Sequence, residues 1–218
     1  MNKPEKRAEF GEPQVDPEHY GNFTYNSKTR FISYWHQINQ VAQTQPSSVL
    51  EIGVGSGFVN RYLREMGINI HTLDFDARLN PDTVGSVLEL PFADDEFDVV
   101  CCFETLEHLP WEHFDTAVSE LARVARRVVL ISLPDRTPCV RLEAQWHSVT
   151  AMTQQLVDLP NPRPQEHVFD GEHYWEIGRK GYPLGRIIKY IERHGLRVEE
   201  KFRVFENPFH RFLRCAVR

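Results

Sequence analysis

The pattern of this chain predicts an α/β protein, a doubly wound sheet of seven mostly parallel strands closed by an antiparallel C-terminal hairpin. Three observations carry that expectation: short apolar runs alternate with amphipathic segments, a glycine cluster at 53–57 follows the first run, and two β-type runs end the chain. Alternation of this kind demands parallel strands joined by helical crossovers on both faces.

The elements follow in order. Residues 1–26 are polar, with Pro4, Pro13 and Pro17 and the aromatics Phe10, Tyr20, Phe23 and Tyr25, and read as an arm without regular structure whose later part docks. From Ser27, an N-cap, apolar residues recur at Phe31, Ile32, Trp35, Ile38 and Val41, giving an amphipathic helix that stops by Pro46. Val49–Ile52 reads as a strand, Asn60–Met66 as a helix ended by Gly67, and Asn69–Asp74 as the next strand. A short strand near Thr83–Leu88, a strand Phe97–Phe103, a helix from about Trp111 to Ala125 and a strand Val128–Leu133 continue the rhythm.

Residues 134–183 interrupt it. The stretch is rich in Pro, His and aromatics, and only Glu143–Leu159 looks partly helical. A long segment without a repeating element is usually functional or disordered. A helix from about Leu184 to His194, closed by Gly195, then leads into the β runs Leu196–Phe205 and Arg211–Val217, joined through Asn207–Pro208. The expected organisation is a single domain: 1–46 arm and helix, 47–133 cofactor-binding core, 134–183 substrate-side insertion, 184–218 closing helix and hairpin.

The chain has 218 residues, 41% of them hydrophobic, enough for one sizeable core. A net charge of -6 with scattered Lys and Arg argues against a nucleic-acid partner. Four cysteines without a CxxC pair, and no export signal or apolar span, point to a reduced, cytoplasmic chain, monomer or homodimer.

Between a strand and a helix, Glu51-Ile52-Gly53-Val54-Gly55-Ser56-Gly57 lets the backbone turn sharply and a ligand approach bare main chain. The dinucleotide fingerprint needs a third glycine where Phe58 stands, and no ATP-binding G-x-x-x-x-G-K-[ST] occurs. An acid two residues before the first glycine suits a ligand that lacks a pyrophosphate and bears a cationic group, with Glu51 organising the loop or meeting an ammonium through water. Asp74, ending the second strand with Phe75 beside it, is placed to accept hydrogen bonds from ribose hydroxyls.

These residues resemble the class I S-adenosylmethionine-dependent methyltransferases, in particular the small-molecule branch of the type 11 kind. The resemblance covers roughly residues 48–134 through four ordered segments: Val49 to Gly57, Leu73-Asp74, Leu90-Pro91-Phe92-Ala93-Asp94-Asp95-Glu96-Phe97-Asp98-Val99-Val100, and Glu104-Thr105-Leu106-Glu107-His108-Leu109. It implies S-adenosylmethionine as cofactor, held by Glu51, Gly53, Gly55, Ser56 and Gly57 and by Asp74 and Phe75. Where the family commonly places an Asp near the adenine stands Ser86, so the adenine contact falls to Ser86 or to the backbone of Val87 and Leu88. Phe103 and Glu104 are implied beside the methionine part; Tyr20 and Tyr25 in the arm, with Lys28 and Arg30, are expected either to fold over the cofactor and meet its carboxylate or to serve a dimer contact.

Methyl transfer needs in-line positioning, exclusion of water and, for a hydroxyl acceptor, a base. Candidates are His147, His167 and His173 in the insertion, and His108, which faces the substrate or orients its own turn. Gly171-Glu172-His173-Tyr174-Trp175-Glu176-Ile177-Gly178 suits a substrate-facing lid, or a loop anchored by its aromatics. His167, Asp170 and His173 recur every third residue, but without an element to direct them no metal is expected. The expected activity is methylation of O or N on a small or medium-sized acceptor such as a sugar, a lipid-linked intermediate or a secondary metabolite. The alternatives are a non-catalytic S-adenosylmethionine-binding regulatory or assembly subunit and an NAD-dependent oxidoreductase.

Overall fold

The computed structural model describes residues 13–145 and 152–218. Phe10 and the base candidate His147 lie outside the described residues. Helix α1 (Pro17–Gly21) is one turn, with Pro17 pre-set for the helical φ. The arm is therefore not wholly irregular, as composition suggested. Helix α2 (Lys28–Gln43) begins at the expected cap, where Ser27 Oγ accepts from Arg30 N at 3.4 Å.

Strands β1 (Val49–Ile52), β2 (Ile70–Asp74), β3 (Thr83–Val84), β4 (Phe97–Phe103) and β5 (Ala125–Pro134) are parallel. Helix α3 (Phe58–Glu65) crosses from β1 to β2, and α4 (Phe114–Val124) from β4 to β5. Two further strands, β8 (Leu196–Arg203) and β9 (His210–Val217), follow α5 (Leu184–Glu192), and β9 pairs antiparallel with both β5 and β8. The seven strands run in the order β3-β2-β1-β4-β5-β9-β8. Chain order reverses between β1 and β4, so a crevice opens beyond their carboxyl ends, the usual ligand position in such sheets.

Period-2 alternation along the buried strands feeds two cores. Leu50, Ile52, Val100, Cys102, Val129 and Ile131 face α4 and α5, while Val49, Val99, Cys101 and Leu130 face α2 and α3. Two predicted elements shorten: β3 keeps only two residues of Thr83–Leu88, and Trp111–His113 is a 3-10 turn before α4.

The helix expected within Glu143–Leu159 is instead β structure. Strands β6 (Cys139–Gln145) and β7 (Met152–Asp158) form a separate antiparallel pair. Val140, Leu142 and Ala144 alternate with Arg141 and Glu143, a period of two rather than 3.6, and that alternation wins over the helix-forming Glu, Ala and Gln. Arg203, buried, donates to Asp158 Oδ1 at 2.7 Å and to Thr137 O at 2.9 Å, tying the base of this pair to β8. Among the described residues no helix is long and apolar enough to cross a membrane.

Candidate active site

The glycine turn after β1 has a conformation that only glycine adopts without strain. Gly53, Gly55 and Gly57 have φ of 85°, 52° and 65°, and a Cβ on Gly53 would lie 2.3 Å from Thr105 Oγ1. Three hydrogen bonds hold the turn from outside. Val54 N donates to Asp74 Oδ2 at 2.7 Å, Arg61 donates to Ser56 O at 3.0 Å, and Tyr34 Oη of α2 lies 2.9 Å from Ser56 Oγ. Glu51 is buried beneath the turn, accepting from Asn60 Nδ2 at 2.9 Å, and burial pushes its carboxyl up to about 7.

A cavity of about 480 Å3 opens over this turn, a size suited to a nucleoside-bearing cofactor. Of the residues expected at the cofactor, Glu51, Gly53, Gly55, Ser56, Asp74, Phe75, Ser86, Val87, Leu88, Phe103, Glu104 and Tyr25 line it, as do Tyr20 and Arg30; Gly57, which caps α3 just behind it, and Lys28 do not. At one end, Ser86 Oγ accepts from Leu88 N at 3.2 Å, so the hydroxyl organises its own turn and the Val87–Leu88 backbone is presented to the cavity. Tyr20 and Tyr25 roof the middle, with their rings edge to face at 5.3 Å and the Arg30 guanidinium 4.5 Å above the Tyr25 ring. Burial, aided by the Asp74 carboxylate, raises the Tyr20 phenol to about 12.

The other end is polar and acidic. Glu104, just past β4, has φ of 48°, a left-handed backbone that is strained for a non-glycine residue and often marks a functional position. Glu104 Oε1, both Glu107 carboxylate oxygens, Ser132 Oγ and His210 Nδ1 are buried without a hydrogen-bond partner among the described residues. Burial holds both acids above the carboxylate range, and burial also pushes His210 down to about 3. His210, at the start of β9 with Nε2 3.5 Å from Glu104 Oε2, was not singled out in the sequence. A histidine at the opening of the last β run, His210-Arg211-Phe212-Leu213, was the available signal.

His108 and His173 meet here, their ring centroids 5.1 Å apart. Burial, then the neighbouring His173, lowers His108 to about 4. Burial would also lower His173, but its hydrogen bond to Glu176 and the carboxylates of Glu107 and Asp170 raise it to about 9. The 171–178 run divides its labour. Glu172, His173 and Tyr174 line the cavity, whereas Trp175 and Ile177 are fully buried and Trp175 Nε1 donates to Leu109 O at 3.1 Å. His167 does not line the cavity; its Nε2 binds His173 O at 2.7 Å.

A family profile described as a methyltransferase domain matches residues 50–131. That match takes in the glycine turn, Asp74 and the Glu104–Leu109 segment, and leaves the rest of the 218 residues outside it. The residues present fit S-adenosylmethionine as cofactor: bare glycine backbone, a buried acid at the end of β2 and a polar end to the cavity. The curated relatives are partial matches. A probable tocopherol O-methyltransferase of the chloroplast from Oryza sativa subsp. japonica is 33% identical over 111 residues, 42% of this chain and 30% of that protein. A ubiquinone biosynthesis O-methyltransferase from Hydrogenovibrio crunogenus is 24% identical over 128 residues, 44% of this chain and 52% of that protein. The chain thus spans about half, or less, of the length of these relatives.

Among solved structures, the fold of the methyltransferase domain recurs in magnesium protoporphyrin IX methyltransferase from Synechocystis PCC 6803 with bound S-adenosylhomocysteine. It has a TM-score of 0.59 at 14% identity, over 85% of this chain and 82% of that one. An S-adenosylmethionine-dependent methyltransferase from Aquifex aeolicus gives 0.59 at 15% identity, over 94% and 100%.

Proposed function

We propose that the chain is an S-adenosylmethionine-dependent methyltransferase acting on an oxygen, or else a nitrogen, of a small or medium-sized acceptor. In this reading the whole chain is one domain and residues 134–183 stand on the acceptor side. The adenine lies against Ser86–Leu88, the ribose diol on Asp74, and the methionine end between the glycine turn and Glu104, with Arg30 facing its carboxylate. The cofactor supplies an electrophilic sulfonium methyl. The chain's own residues orient the two reactants and keep water out, with Tyr20 and Tyr25 as the roof.

The observation that carries this reading is the pair of buried carboxylates with unpartnered oxygens that line the cavity at this end, Glu104 and Glu107. Buried polar groups are ordinarily hydrogen-bonded, so this end calls for a ligand that brings donors, as a hydroxyl- or amino-bearing acceptor does. Both curated relatives are described as O-methyltransferases, which favours oxygen. The test is transfer of labelled methyl from S-adenosylmethionine to a panel of phenols, sugars, carboxylates and amines. Label in a hydroxylated acceptor is the expected result; cofactor binding with no transfer to any class would leave the non-catalytic subunit.

A further inference from the structure

Glu107 is fully buried, both of its oxygens lack a partner, and two imidazoles stand beside it. Glu107, His108 and His173 each offer a ligand atom, and these atoms all lie within 4.8 Å of one another. The geometry points to a divalent transition-metal site of the zinc type, formed by the Glu107 carboxylate and the Nε2 atoms of His108 and His173.

The hydrogen bonds around the two rings favour this assignment. His173 Nδ1 lies 3.2 Å from Glu176 Oε1, and His108 Nδ1 lies 2.8 Å from Gln14 Oε1 and 3.0 Å from Glu172 O. With Nδ1 engaged by a carboxylate on one ring and a carbonyl on the other, Nε2 is the nitrogen left to bind. That is the outer-shell arrangement that orients metal-binding imidazoles. Glu176 is itself held, accepting from Arg136 Nε at 3.1 Å and Arg179 Nε at 3.2 Å.

Two imidazoles and one carboxylate make a donor set suited to zinc with a coordination position left open. All three residues line the cavity, so the open position faces the expected acceptor. The expectation of no metal from His167, Asp170 and His173 concerned a different set. Asp170 Oδ1 accepts from the backbone N–H of Glu172 and His173, and shapes the turn that delivers His173. That the ion would lower the pKa of an acceptor hydroxyl rests on the methyltransferase reading; metal binding itself does not.

The test uses the untagged full chain, stripped with EDTA, desalted and titrated with Zn2+ or Co2+. Metal per chain is read by mass spectrometry, and Co2+ coordination by visible absorption. One equivalent is expected. Glu107→Gln, which replaces an unpartnered buried carboxylate by a neutral amide of the same shape, should keep the metal-free melting temperature and lose at least about tenfold in metal affinity. Glu176→Gln should weaken binding by about 10- to 100-fold as a positioning residue. No stoichiometric metal in the wild type, or equal metal in the wild type and in both Glu107→Gln and His173→Gln, overturns the proposal. S-adenosylhomocysteine titrated in parallel separates the two readings: cofactor without metal sinks only this site, and metal without cofactor sinks only the methyltransferase reading.

Discussion

Asp74 couples the second strand to the glycine turn: its Oδ2 accepts from Val54 N at 2.7 Å and its Oδ1 from Asp76 N at 2.9 Å. Each oxygen retains a lone pair, so one carboxylate can shape the turn and still receive a diol. Asp74→Asn should weaken S-adenosylhomocysteine binding by about 10- to 100-fold, the range for hydrogen bonds to a charged group. Calorimetric titration of the variant checks this, and unchanged affinity would remove Asp74 from the ribose.

Gly53→Ala should cost both stability and cofactor. Its φ of 85° and the 2.3 Å approach to Thr105 Oγ1 leave no room for a methyl group. The backbone strain alone costs about 1–3 kcal/mol. Thermal melting should show the loss, and S-adenosylhomocysteine should restore less of it than in the wild type.

Trp175→Ala tests how the insertion is anchored. Trp175 is fully buried, packs edge to face on Phe114 and Trp111, and donates to Leu109 O. Truncation should destabilise the chain by about 3–5 kcal/mol. Urea unfolding measures it; a change below about 1 kcal/mol would make the 171–178 run a detachable lid.

Acid stability should follow Asp98. Hydrogen bonds from Ser47, then the nearby Arg127 and Arg126, hold its carboxyl below the usual range. A lowered folded-state pKa stabilises the fold above the unfolded value near 4, and that contribution fades as pH falls through the folded value. Asp98→Asn should therefore be less stable than wild type at pH 7, with the difference shrinking below about pH 4. A difference that is the same at pH 7 and pH 3 in urea unfolding would contradict this.

Much of the fold was readable because its central strands β1, β4 and β5 are buried on both faces and its helices carry one apolar stripe, patterns set by local periodicity. The glycine turn and Asp74 were readable for the same reason, since their geometry is dictated within one βαβ unit. The polar end of the cavity was not. Glu107 meets His173 across 66 positions, and His210 reaches Glu104 from the last strand, so no local spacing announces either pair. The β6–β7 pair was missed because its alternation is carried by only three apolar residues among helix-forming neighbours.

Calorimetric titration of the full chain with S-adenosylhomocysteine and with NAD tests the central claim most directly. The account predicts one S-adenosylhomocysteine bound per chain and no measurable NAD binding. Preferential binding of NAD would contradict it.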